Sequence, residues 1–338
     1  MENSRIPVTI ITGFLGAGKT TLLNNLIKKH TDTKFAIIEN EFGEIGIDGA
    51  LIVGADQNIF ELSNGCICCS LNDDFYETIF KLLDGDYDFD HLLVETTGIA
   101  DPSSIINAFV ATLEIQMKFM LDSVICLADA INVEDIIEEQ PEVKKQLAIA
   151  DIILLNKVSD VSATYAKELE LLISGINPLA HIYQVSHADI NDLKILGTFA
   201  YSGKEIEKST IDFKNVTLAK TDETTHGVSH HHHHGHHHHE ISAEGFSLEG
   251  SFDDRLFTLW IQHFLAYNQD SIFRVKGILS INNMDERLIF HAVRSSYLFE
   301  KGEAWGSEKR FSKMVFIGKN INHQTLENDL AKLIYKKH

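Results

Sequence analysis

Two groups of side chains in this chain are equipped for chemistry. The first is the run Gly13-Phe14-Leu15-Gly16-Ala17-Gly18-Lys19-Thr20-Thr21. Glycines at this spacing let backbone N–H groups approach phosphate oxygens, and a helix opening behind them favours an anion. Lys19 is placed to reach β- and γ-phosphates, and the Thr20 hydroxyl to ligate Mg²⁺. The loop's expected nucleotide contacts are Gly13, Gly16, Ala17, Gly18, Lys19, Thr20 and Thr21. The second group is Cys66, Cys68 and Cys69, three thiols within four residues behind an Asn64-Gly65 turn. Thiolates suit Zn²⁺ and other borderline or soft cations. Three sulfurs leave a fourth position for water, a nucleotide-side group or another protein. Inert buried cysteines and a redox pair are the competing readings.

Further candidates close apolar runs. Glu95-Thr96-Thr97-Gly98 follows Leu92-Leu93-Val94. An acid at a strand end can hold Mg²⁺ directly or through water, and the Gly98 amide can sense a γ-phosphate. Glu39-Asn40-Glu41-Phe42-Gly43-Glu44 has the position of a switch segment. Glu39, Glu41 or Glu44 would contact Mg²⁺, the attacking water or a transferred metal, or else be solvated loop charge. Lys19, Glu39 and Glu95 form the expected catalytic set, and Glu44 joins the candidate metal ligands.

Asn156-Lys157-Val158-Ser159 sits where a GTPase reads guanine with an NKxD motif. Asn156, Lys157 and Gly98 therefore join the nucleotide contacts. The acid that accepts two N–H groups from guanine is replaced by Ser159, with Asp160 one residue later. Either the loop brings Asp160 into place, or base selection is weaker, or Ser159-Asp160 merely caps a helix.

A different metal-binding chemistry lies in a polar stretch. His226, His230, His231, His232, His233, His234, His236, His237, His238 and His239 put ten imidazoles into residues 226–240. They would form several weak, exchangeable sites for Zn²⁺, Ni²⁺, Co²⁺ or Cu²⁺. An inert spacer or a purification tag are the plainer explanations, though a tag is usually terminal.

The elements that must position these groups alternate. Strands are expected over Pro7–Thr12, Phe35–Glu39, Ile59–Leu62, His91–Val94, Ser123–Ala128 and Asp151–Leu155, with helices over Thr21–Lys29 and Asp73–Leu83. This is the pattern of parallel βαβ units, which bind ligands at the strand C-termini. Cys126 falls inside an apolar strand and reads as core. After the histidines the pattern changes: strands over Ile241–Phe252, Phe273–Ile281, Leu288–Arg294 and Met314–Gly318, and helices over Arg255–Tyr267 and Gln324–Tyr335. The expected division is a nucleotide domain at 1–215, a histidine-rich linker at 216–243 and a C-terminal domain at 244–338.

Composition narrows the class. The chain has 338 residues, 44% of them hydrophobic, and a net charge of −20, which argues against a general nucleic-acid surface. The N-terminus has no basic n-region and no span-length apolar run, so a cytoplasmic protein that does not enter membranes is expected. Four cysteines, three of them clustered, do not form a secreted disulfide framework.

Taken together, Gly13–Leu23, Glu39-Asn40-Glu41-Phe42-Gly43, Cys66-Ile67-Cys68-Cys69 and Glu95–Gly98 resemble the CobW-like GTPases, relatives of the urease and hydrogenase nickel-insertion GTPases. The resemblance covers nearly the whole chain. Arg274-Val275-Lys276-Gly277 and His291-Ala292-Val293 are similar to that family's C-terminal domain, and many members carry a histidine-rich insert at this place. The resemblance implies an α/β fold: a P-loop NTPase domain with a mostly parallel sheet, then a small α+β CobW-type domain. It implies GTP hydrolysis with Mg²⁺, coupled to delivery of Zn²⁺ (or Co²⁺) to a client metalloprotein. Related GTPases often pair through the nucleotide face, so a nucleotide-dependent homodimer is expected. The chain departs from the family pattern at Ser159, where Asp is usual, which bears on the choice of GTP over ATP. Two rival functions are a metal buffer or sensor with incidental hydrolysis, and an ATP-using small-molecule kinase with a structural metal.

Overall fold

The computed structural model describes residues 5–39, 58–61, 71–85, 87–201 and 241–336. The chain forms two compact units. In the first, β-branched and apolar runs become strands and the segments between them helices: β1 (Ile6–Gly13), α1 (Lys19–Lys29), β2 (Phe35–Glu39), β3 (Asn58–Glu61), α2 (Leu71–Asp84), β4 (His91–Glu95), α3 (Ser103–Ala111), α4 (Leu113–Lys118), β5 (Phe119–Asp129), α5 (Val133–Glu139), α6 (Pro141–Ile149), β6 (Ile152–Asn156), α7 (Ala163–Ile176) and β7 (His181–Gln184). The seven strands lie in the order β3-β2-β4-β1-β5-β6-β7. Every neighbouring pair is parallel. Strands β2, β4 and β6 are buried along their whole length, which is why they read as unbroken apolar runs rather than alternating ones.

Helix α1 covers one face. Its Leu22, Leu23, Leu26 and Ile27 pack with Ile11, Ile37, Leu93, Ile125 and Leu154. Each such side chain contributes roughly 1.5–3 kcal/mol by leaving water, so the helix behind the phosphate loop is firmly seated. A polar chain runs through the other end of the sheet. The His91 ring bonds Thr9 Oγ1 at 2.9 Å, and Thr9 Oγ1 donates to Asp122 at 3.3 Å. Asp122 also accepts from the Gly197 and Phe199 N–H groups, fastening that late segment to β5.

The second unit holds β8 (Ile241–Glu249), α8 (Asp254–Tyr267), β9 (Ile272–Leu279), β10 (Glu286–Val293), β11 (Ser296–Ala304), β12 (Phe311–Lys319) and α9 (His323–Lys332). Its sheet, in the order β11-β10-β9-β12-β8, is antiparallel throughout. Asp253 caps α8 by accepting the Leu256 N–H, and Asn322 caps α9 by accepting that of Thr325. Phe257, Ile261 and Leu265 of α8 and Leu326 and Leu330 of α9 pack on Phe246, Val275, Phe290, Met314 and Phe316. The expected strand to Phe252 stops at Glu249, because Gly250 turns with φ 97°, and Phe252 instead bridges Ile281 and Ile334. That bridge also ends the last helix at Lys332, short of the expected Tyr335. Lys276 and His291 are register partners on β9 and β10, both buried with Arg274. No helix among the described residues is long and apolar enough to cross a membrane.

Candidate nucleotide site

The C-terminal ends of the parallel strands carry the site. β1 ends at Gly13, and α1 begins at Lys19 with no acidic residue in its first turn to oppose an incoming anion. Gly13, Gly16 and Gly18 take φ of 138°, 75° and 110°. At Gly18 nothing larger fits, since a Cβ would lie 2.6 Å from Asn156 Nδ2. Above Gly16 the loop is open, with no atom within 4 Å of where a Cβ would sit. This is a cradle that backbone N–H groups can share with phosphate oxygens. Lys19 is buried and its Nζ donates across the loop to the carbonyls of Gly13 (3.1 Å) and Phe14 (3.4 Å). Thr20 and the exposed Thr21 follow in the first turn of α1, and Ala17 is buried within the loop.

Glu39 and Glu95 end adjacent strands as direct register partners, and both are buried. β3 places Glu61 in register with Glu39, so acids occupy the same level on three neighbouring strands. Past Glu95 the Thr96 N–H donates to Ile11 O and its hydroxyl to Thr12, tying the segment to β1. Gly98 then presses on the phosphate loop: a Cβ there would come within 2.5 Å of the Leu15 nitrogen. With Thr20, Glu39 and Glu95 offer hard oxygen donors of the kind Mg²⁺ takes.

The base-side turn is tied to the same loop. Asn156 Nδ2 donates to Ala17 O at 2.8 Å, and its Oδ1 accepts the Ala188 N–H at 2.9 Å. Lys157 has φ 65° and its Nζ lies 2.8 Å from Asp129. Burial alone would raise the Asp129 carboxyl, but Lys157, the Ile131 N–H and Asn132 together hold it below the ordinary carboxylate range. Val158–Asp160 form a single 3₁₀ turn in which Ser159 and Asp160 are both exposed. The helix cap is Ser162, which accepts the Tyr165 N–H, so the capping account of Ser159-Asp160 does not hold. The Ser159 N–H donates instead to Ser186.

Asp129, Ser186, Ala188 and Gln146 are neighbours of the site that the sequence reading missed. Asp129 had a signal, an acid closing the apolar strand 124–128. Ser186 and Ala188 had none, because β7 is half-exposed and has no apolar run. Cys126 is buried core, its thiol pushed up to about 12 by burial and therefore inert. The metal candidates Cys66, Cys68, Cys69, Glu44, His230–His234 and His236–His239 lie outside the described residues. Among the described residues, no three His, Cys, Asp or Glu side chains converge on a metal position.

Comparison with known proteins agrees over both units. The nucleotide-binding domain model of the CobW/HypB/UreG family matches residues 7–184, and that of the cobalamin synthesis protein cobW C-terminal domain matches residues 241–334. The chain is similar to the zinc chaperone YjiA of Escherichia coli (strain K12), 34% identical over 97% of this chain and 98% of that protein. It is similar also to the zinc-regulated GTPase metalloprotein activator 1 of Schizosaccharomyces pombe, 28% identical over 94% of this chain and 83% of that protein. Among solved structures, the crystal structure of Zn(II)-bound YjiA GTPase from E. coli superposes with a TM-score of 0.72 at 28% identity, covering 98% of this chain and 100% of that one.

Proposed function

Because this chain belongs to the CobW/HypB/UreG family and carries the CobW C-terminal domain besides, we propose that it is a GTPase that hands Zn²⁺ to client metalloproteins. The observation that carries the nucleotide half is the bond from Asn156 to Ala17, which joins a phosphate cradle to a base-side turn at one end of a parallel sheet. Lys19, together with the N–H groups of Gly13, Gly16, Ala17 and Gly18, takes the phosphates; Thr20 and Thr21 open the helix beneath them. Mg²⁺, held by Thr20 and Glu95, would neutralise charge on the β- and γ-phosphates. Glu39, beside Glu95 on the next strand, orients the attacking water or contacts the cargo metal. Gly98 reports whether a γ-phosphate is present, and Asn156 and Lys157 frame the base.

The metal half rests on the chemistry of Cys66, Cys68 and Cys69, with Glu44 as an added donor and His230–His234 and His236–His239 as a local store. Zn²⁺ is first choice, with the name of the E. coli relative in support; Co²⁺ would suit the same ligands. β3 precedes these cysteines in the sequence, and it pairs with the strand that carries Glu39. The working division keeps a nucleotide domain at 1–215, a linker at 216–243 and a C-terminal domain at 244–338, with a cytoplasmic setting and a nucleotide-dependent homodimer.

Hydrolysis can drive release only if the γ-phosphate biases two states of unequal metal affinity. The test is Zn²⁺ affinity of the full chain with a non-hydrolysable GTP analogue against GDP. A difference of about tenfold or more is expected; equal affinities, with most of the metal lost on removal of 226–240 and little lost in Cys68→Ala, would leave only a buffer.

A further inference from the structure

Helix α6 grips the segment after β4 through one side chain. Gln146 is fully buried, and its Nε2 donates to the carbonyls of Gly98 at 3.2 Å and Ala100 at 2.9 Å. Two facing carbonyls identify that end of the amide as nitrogen. The other end, Oε1, is equally buried and has no hydrogen-bond partner among the described residues. Buried amide oxygens are normally bonded, so this one calls for an explanation. Gly98 supplies a second observation. It is held by Gln146 on one side and touches the phosphate loop on the other, where a Cβ would come 2.5 Å from the Leu15 nitrogen. A turn from the Ala100 N–H to Thr97 O closes the segment.

We propose that Gln146 is a positioning residue whose amide serves two orientations of the Gly98–Ile99 peptide. This rests on reading that segment as the γ-phosphate sensor. In the arrangement described, the Gly98 carbonyl faces Nε2. Turning the peptide over exchanges that carbonyl for the Ile99 N–H. Rotation of the Gln146 amide about its soft terminal torsion then presents Oε1 to accept it, in exchange for the bond that Nε2 makes to the Ala100 carbonyl. Gly98 takes the change in ψ with no Cβ to obstruct it, while the matching change in φ falls on the β-branched Ile99 and makes the turned state the costlier of the two without a ligand. The acceptor idle in one state is used in the other, which makes the segment two-state rather than continuously deformable. An apolar side chain of the same length serves neither state.

The test compares affinities for Mg²⁺–GDP and a Mg²⁺-bound non-hydrolysable GTP analogue in the full chain, for wild type, Gln146→Met and Gln146→Leu. GDP affinity is expected to stay within about twofold while the analogue binds about tenfold more weakly, so the ratio of the two falls. A purely structural role would move both affinities together, and that result, or an unchanged ratio, overturns the proposal. Hydrogen exchange of wild type over residues 97–101 gives the answer if the variants do not fold. Slower exchange with the analogue than with GDP is expected; equal protection overturns the proposal. A wild type that binds neither nucleotide overturns the nucleotide reading and this proposal with it. One that binds both, while the variants keep the ratio, overturns this proposal alone.

Discussion

Asn156 spans two loops with one amide: Nδ2 donates to Ala17 O at 2.8 Å and Oδ1 accepts the Ala188 N–H at 2.9 Å. Both groups lie in the interior, so truncation leaves a buried donor and a buried acceptor unsatisfied. Asn156→Ala is expected to lower stability by about 1–3 kcal/mol and nucleotide affinity by on the order of tenfold or more. Thermal unfolding and a fluorescent-nucleotide titration measure the two. Unchanged affinity in a destabilised variant would confine Asn156 to a structural role.

Gly98→Ala tests the close approach to the phosphate loop. The added methyl would meet the Leu15 backbone nitrogen at 2.5 Å and its side chain at 2.7 Å, and backbone does not yield as a side-chain tip does. GTP hydrolysis is expected to fall roughly a hundredfold, with a stability loss of about 1–3 kcal/mol. Activity near wild type would show that the segment stands off from the loop in solution.

Glu95→Gln and Glu39→Gln separate two carboxylates in one register pair. If Glu95 supports the metal–phosphate centre, its amide variant should lose on the order of 10²-fold in kcat while GDP affinity changes little. Glu39→Gln should cost less, about tenfold. The reverse ranking would exchange their assignments.

Base selection can be tested at Ser159, which is exposed in its 3₁₀ turn beside Asp160. Ser159→Asp is expected to raise the preference for GTP over ATP by roughly tenfold, the worth of a charge-assisted hydrogen bond. Asp160→Ala should leave that preference alone if residue 159 faces the base. A collapse of selectivity in Asp160→Ala would instead identify Asp160 as the reader.

His91 predicts a pH dependence of folding. Burial, with His30 nearby, holds its pKa down to about 4, below the free value of 6.5. The unfolded chain therefore takes up a proton that the folded chain refuses. This contribution to stability is complete above pH ~6.5 and is lost as pH falls toward ~4, by up to about 3 kcal/mol. Burial raises the Asp122 carboxyl in the same polar chain, which acts in the opposite sense. Comparing wild type with His91→Phe isolates the imidazole: the drop in Tm between pH 7 and pH 5 should shrink. An undiminished drop would assign it to other groups.

The parallel sheet was legible because fully buried strands such as Ile152–Asn156 are short, continuous and apolar, with chemistry-bearing residues at their ends. The phosphate loop was legible because its spacing is a backbone requirement rather than a packing preference. The reading named no helix from α3 to α7. α3 is buried on nearly every side and shows no clean stripe, while α4 to α6 have only six to nine residues. β11 was missed because it is a half-exposed edge strand with charges at Glu300, Lys301 and Glu303. Gln146 was invisible for a different reason. A glutamine on a helix carries no signal of its own; its role comes from which two carbonyls the fold brings to it.

The strand order has a mechanical consequence. β1 and β4, which carry the phosphate loop and Glu95, are flanked on both sides, whereas β3 is an edge strand among the described residues and is joined to the sheet by four register pairs with β2. A border strand with one neighbour is where a sheet peels at least cost. The architecture thus separates doubly flanked strands at the phosphate loop from a compliant margin. Movement at the hem of the sheet can therefore leave undisturbed the strands that carry the phosphate loop and Glu95.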